Sequence, residues 1–161
     1  MNFKKILVAV DASENSARAV EYTGIMIGQT PGFQIHLLYV ERHPERDIFP
    51  DDASWKNACQ EEEQNIRDFL AQARGMLENK GVQHEAISVD YASSGSCSTG
   101  PQRSSKGHSV ANHILKVHQE GGYGTVVVGR RGVSKAEEFL FGSVTTKIIH
   151  NAKDCTVWVV E

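Results

Sequence analysis

The residues best suited to chemistry lie near the carboxyl end: Gly129-Arg130-Arg131-Gly132, then nine residues, then Gly142-Ser143. Glycines on both sides of a loop let backbone approach a phosphate chain closely, and the free amides of a helix amino terminus offer donors and a favourable dipole to anionic oxygens. Ser143 and Thr145 add hydroxyls, and Arg130, Arg131 and Lys135 bring cations able to pair with phosphate oxygens. Each feature alone also fits a tight turn, an ordinary helix start or a solvated loop. Their combination after a Val-rich run favours phosphate binding. A second chemical residue is Asp11, directly after another apolar run; its carboxylate fits either a ligand or a helix-capping turn.

The elements that must carry these residues alternate. Five β-rich runs at 5–10, 34–40, 85–89, 125–129 and 156–160 are separated by helical stretches, the pattern of a parallel sheet covered by helices. The first, fourth and fifth runs are nearly continuous in Val, Ile and Leu, as strands buried on both faces should be. Ser13 and Ser16 announce a first helix reaching Gly32. A second spans 54–79, with Ile66, Phe69, Leu70, Ala73 and Leu77 recurring on one face and Gly81 ending it. Val110, Ile114, Leu115 and Val117 mark a third, and a fourth runs from Gly142-Ser143 to about Ala152.

Right-handed crossovers make a doubly wound, three-layer α/β/α arrangement with a five-stranded parallel sheet in the order 3-2-1-4-5 the economical solution. Winding then reverses between strands one and four. Ligands of open α/β sheets bind outside the carboxyl ends of the strands at such a point, here beside Asp11 and Gly129. The chain reads as one domain over 1–161.

Composition narrows the function. Hydrophobic residues at 40%, charged residues at 23% and a net charge of −3 suit a globular protein and disfavour polyanion or acidic-lipid binding. The apolar runs are strand-sized, so no membrane segment is expected. Cys59, Cys97 and Cys155 show no metal or disulfide spacing, and a cytoplasmic location is expected. The histidines are scattered over different elements; His108, His113 and His118 recur at intervals of five, which does not stack them as metal ligands. Residues 41–53 read as an irregular connection. Residues 91–109, rich in Ser and Gly, read as a mobile loop that a phosphate could order through Arg103 and Lys106; the Gly-Lys-Ser/Thr core of a P-loop is absent.

The spacing Gly-x2-Gly-x9-Gly-Ser, with "KKILVAVDASENSARAV", "GTVVVGRRG" and "FGSVTTKIIHNAKDCTVWVV", resembles the ATP-binding branch of the universal stress protein family across the chain except the Ser/Gly loop. The resemblance implies the five-stranded fold, a homodimer and ATP, with or without magnesium or manganese. It implies that Ala9, Val10 and Asp11 line the nucleoside pocket, that Val40 contacts adenine, that Val128, Gly129, Arg131 and Gly132 wrap ribose and phosphates, and that Gly142, Ser143, Val144 and Thr145 bind the triphosphate. A carboxylate beside a triphosphate would repel it, so Asp11 belongs on a ribose hydroxyl, the adenine or a metal ion. Many relatives carry Asp where this chain has Gly124.

The expected function is a nucleotide-dependent regulatory or stress-response switch with an unidentified protein partner. A slow ATPase or autophosphorylating protein is the second reading, since no general base accompanies the loop. A dimeric interaction module without nucleotide is the third. Self-association is expected through the edge of 156–160. No catalytic residue and no metal-ligand set is assigned.

Overall fold

The computed structural model describes residues 2–40, 46–92, 110–131 and 141–161. Strands β1 (Asn2–Val10), β2 (Gln34–Val40), β3 (Ile87–Ala92), β4 (Tyr123–Gly129) and β5 (Thr156–Val160) alternate with helices α1 (Glu14–Ile27), α2 (Asp52–Asn79), α3 (Val110–Gly121) and α4 (Ser143–Asn151). The sheet order is β3-β2-β1-β4-β5, and every pairing is parallel. The expected 3-2-1-4-5 order is therefore the order found. Its cause is legible in β1, where the last five residues, Ile6, Leu7, Val8, Ala9 and Val10, are all buried, so the strand must be covered on both faces.

Alternation then sorts the core into two layers. Ile6, Val8, Ile35, Leu37 and Val127 pack against Val20 of α1 and Leu70 and Leu77 of α2. Leu7, Leu38, Val126 and Val128 pack with Ile114 of α3 and Ile148 of α4 on the opposite face. Each such side chain contributes roughly 1.5–3 kcal/mol on burial. None of the helices, among the described residues, is long and apolar enough to cross a membrane.

Several boundaries differ from those read in the sequence. Helix α1 stops at Ile27 rather than reaching Gly32. Gly28 lies so close to the end of α2 that an added Cβ would sit 2.0 Å from the Lys80 carbonyl oxygen, and Gly32 turns the chain with φ +85°. Helix α2 begins at Asp52 because the Asp51 carboxylate accepts from the Ser54 amide at 2.7 Å. Strand β3 begins at Ile87, since His84–Ala86 forms a short 3-10 turn. Strand β1 begins at Asn2, with a register irregularity against β4 between Asn2 and Ile6. Gly124 sits against this irregularity: a Cβ there would lie 2.5 Å from Phe3 Cα. No side chain fits, which explains glycine at this position. The expected loop over 91–109 gives Tyr91 and Ala92 to β3; residues 93–109 lie outside the described residues.

Candidate functional site

Because β1 is flanked by β2 and β4, the connections leaving its carboxyl end diverge and open a cleft. Ala9, Val10 and Asp11 form its floor, with Val128 and Gly129 on one side and Val40 on the other. Gly142, Ser143, Val144, Thr145 and Arg131 complete it. All the site residues expected from sequence thus border one space, apart from Gly132, which lies outside the described residues together with Lys135.

At the β1–α1 turn, Asp11 Oδ1 accepts from the Ser16 hydroxyl at 2.6 Å and the Ser13 amide at 3.2 Å, while the Asp11 amide donates to Ser16 Oγ at 3.0 Å. Ser13 caps α1 by accepting from the Ser16 amide at 3.2 Å. This network fixes Ala12 at φ 59°, a conformation costing an L-residue about 1–2 kcal/mol. The two readings of Asp11 therefore coexist: its carboxylate organises the turn and also borders the cleft. Ser16, buried and on the cleft wall, was legible in sequence only as a capping hydroxyl.

The β4–α4 side is built for close approach. A Cβ on Gly129 would meet Asn15 Cβ at 3.0 Å and the Asn15 carbonyl carbon at 3.1 Å, so α1 and β4 touch here through backbone. Asn15 Nδ2 donates to the Arg131 carbonyl at 3.2 Å. The N-cap of α4 is Gly142, which has no side-chain oxygen to satisfy the first-turn amides. Such amides suit an anion.

The two arginines part company. Arg130 gives its amide to the Val160 carbonyl at 2.6 Å and its guanidinium to Glu161, and its carbonyl accepts from the Gly142 amide at 2.9 Å. Arg131 borders the cleft, and its Nε is shielded from solvent with no hydrogen-bond partner among the described residues. Arg130 Nε is likewise buried without a partner among the described residues, but only Arg131 lines the cleft, where an anion could serve as acceptor. Thr145 differs from expectation in its hydrogen bonding: its hydroxyl donates to the Gly129 carbonyl at 2.8 Å, so that proton holds strand to helix.

The opposite wall is largely apolar: Leu38 and Tyr39 of β2, Ile66 of α2, and Val110 and Ile114 of α3. Glu62, one turn before Ile66, brings a carboxylate to this end. Sequence reasoning missed this wall; the 3.6-residue period placed Ile66 and Ile114 on buried faces without showing which buried residues lie at the sheet's carboxyl edge. Among the described residues no group of three or more His, Cys, Asp or Glu could hold a metal ion. Cys59 is buried, and burial raises the Cys155 thiol above its ordinary pKa, with Asp154 adding to the effect.

Comparison with known proteins gives concordant findings. The model of the Universal stress protein family matches residues 2–161. The universal stress protein YxiE of Bacillus subtilis (strain 168) is 28% identical over 172 residues, covering 98% of this chain and 99% of that protein. The hypothetical protein MJ0577 superposes with a TM-score of 0.75 at 19% identity, over 99% of this chain and 96% of the other. A universal stress protein in complex with cAMP gives 0.65 at 17% identity, covering 100% and 98%. The Archaeoglobus fulgidus universal stress protein in complex with dAMP gives 0.62 at 17%, covering 100% of both chains. At these identities the structural likeness is one of fold.

Proposed function

The chain belongs to the universal stress protein family, and from that premise we propose that it is an ATP-binding regulatory protein whose occupied and empty states a partner distinguishes. The observation that carries this reading is the place of Arg131 on the cleft beside the first turn of α4, its Nε buried with no acceptor among the described residues. Cation and amides together suit phosphate oxygens. From the end of β2 to the end of β4 the sheet crosses two strand spacings, about 10 Å. That span matches a nucleoside on the apolar wall with its phosphates at α4.

In this reading Ala9, Val10 and Val40 hold the nucleoside, Asp11 meets a ribose hydroxyl, the base or a magnesium or manganese ion, and Val128, Gly129, Arg131 and Gly132 wrap ribose and phosphates. The amides of Ser143, Val144 and Thr145 receive the phosphate chain. The complexes of two fold neighbours with cAMP and dAMP support an adenine nucleotide as the ligand class. Slow ATP hydrolysis or autophosphorylation at Ser143, Thr145 or a loop serine is the second reading, and Thr145 suits it least because its hydroxyl is buried and already donates to Gly129.

Titration calorimetry with ATP, AMP and cAMP tests the proposal. Micromolar ATP binding, about −7 to −8 kcal/mol, is expected. No heat and no competition up to millimolar nucleotide would sink it.

A further inference from the structure

A second constellation lies toward the amino ends of β2 and β3. The parallel register sets His36 opposite Ser88, and Asp90 follows two residues later on the same face of β3. Four residues separate His36 from Val40 at the cleft, about 13 Å along the strand. His36 Nδ1 lies 2.8 Å from Ser88 Oγ, and Nε2 lies 3.4 Å from Asp90 Oδ2.

Chemistry decides the tautomer. Nε2 is shielded from solvent and makes no hydrogen bond among the described residues. The Asp90 carboxylate 3.4 Å away attracts a proton there, so its charge favours the neutral imidazole with its proton on Nε2 and a lone pair at Nδ1. Ser88 O–H then donates to Nδ1. The competing acceptor, the Ile35 carbonyl, is 3.4 Å from Ser88 Oγ, beyond the usual O–H···O range of about 2.5–3.0 Å. The His36 side chain is only 12% exposed, and burial lowers its pKa against the opposing pull of Asp90, which keeps it a neutral base at pH 7.

The surroundings leave room for a ligand. Ser88 is exposed, and His36, Ser88, Lys5, Gln34, Glu85 and Tyr123 line a hollow of about 270 Å³. The Tyr123 ring lies 5.6 Å from the His36 ring. Lys5 Nζ donates to the Gly121 carbonyl at 3.3 Å, which uses one of the three donors of an ammonium. Charged or titratable groups around His36 are therefore Lys5 from β1, Glu85 before β3, Asp90 on β3 and Tyr123 on β4. His118 of α3 is buried beside the Tyr123 backbone.

We propose that Ser88, His36 and Asp90 form a site that accepts acyl groups from small activated carboxylic esters. Ser88 Oγ adds to the ester carbonyl while its proton passes to His36 Nδ1. The carbon–oxygen bond to the leaving alcohol breaks, and the alcohol takes that proton, leaving an acyl ester on Ser88. Water, deprotonated by His36, then adds to the acyl carbon; Ser88 leaves with the proton, releasing the carboxylic acid. Asp90 is a positioning residue that acts on the ring through its charge and steadies the protonated form, and the Lys5 ammonium lines the same hollow.

The test is p-nitrophenyl acetate with the full chain, following p-nitrophenolate release and locating the acetyl group by peptide mass spectrometry. An acetyl adduct on Ser88 is expected, absent in Ser88→Ala. His36→Gln should slow acylation at least about 100-fold, within the range for general-base catalysis. Asp90→Asn should slow it less and move the acid limb of the pH–rate profile to lower pH, because the carboxylate raises the His36 pKa; Asp90→Glu should restore part of the rate. Ser88 and Asp90 are exposed, so their variants should keep the wild-type circular dichroism and melting curve. Acetylation confined to lysines, or a rate unchanged in Ser88→Ala, would overturn the proposal. Saturating ATP should leave the rate unchanged; inhibition traceable to the cleft would equally count against a separate site.

Discussion

Arg130 and Arg131 are adjacent in sequence yet serve different ends. Composition marks both as phosphate partners, and only the hydrogen bonds at the end of β4 separate them: Arg130 is drawn to Val160 and Glu161, whereas Arg131 borders the cleft. Arg131→Ala should therefore weaken ATP binding roughly 10- to 100-fold, the worth of a charge-assisted contact at about 1.5–3 kcal/mol. Arg130→Ala should leave affinity within about threefold, since RT ln 3 is under 1 kcal/mol. Calorimetry on the two variants checks both, and the reverse order would reassign the cradle. A different residue contributes to acid stability. His118 is buried, and that burial lowers its pKa below the usual value near 6.5, although the Tyr123 backbone and Asp154 pull it upward. The unfolded chain then binds the proton more readily, so the stability from neutral His118 is complete above about pH 6.5 and lost as pH falls through its folded value. Urea unfolding from pH 7.5 to 5 should show this decline, and His118→Gln should flatten it. An unchanged slope would place the acid sensitivity elsewhere.

At the scale of elements, sequence carried the pattern better than its ends. Uninterrupted Val and Ile runs in β1 and β4 require two covered faces, and that requirement survives any context. Helix ends answer to distant partners. At Gly28, the residue after α1, the Lys80 carbonyl at the end of α2 leaves no room for a side chain. Gly28→Ala should consequently destabilise the protein by about 3 kcal/mol or more, because the obstructing atom is backbone and one of the two helices must move. Chemical denaturation should show a lower midpoint with the slope retained. A variant as stable as the parent would mean that the α1–α2 junction yields easily. The same logic explains the site. Its glycines and hydroxyls follow a recognisable spacing, but the apolar wall of Leu38, Ile66 and Ile114 comes from three elements brought together only by the crossovers. Local sequence holds no record of that meeting.

For the whole molecule, the open question is what covers β5. It is the last strand of the sheet, paired only with β4, so its outer backbone edge meets no strand of this chain among the described residues. Its side chains are half-buried from Val157 to Val160. Trp158 stands edge-on to Tyr22 of α1, with ring centroids 5.7 Å apart, and Ile25 and Met26 on the same helix are exposed at 62% and 52%. An unpaired apolar edge invites a strand from another chain, and a second copy of β5 is self-complementary under a two-fold axis. We therefore propose a homodimer joined through Thr156–Val160. Light scattering should report twice the 17.8 kDa chain mass, and dilution should redden Trp158 emission as its ring gains water. Unfolding should remain one cooperative transition for each chain, as expected of a single domain spanning 1–161, with a midpoint that rises with protein concentration because association stabilises the folded state. A mass of one chain at tens of micromolar, with a concentration-independent midpoint and unaltered Trp158 emission, would show that the edge of β5 is left to water or to a different partner.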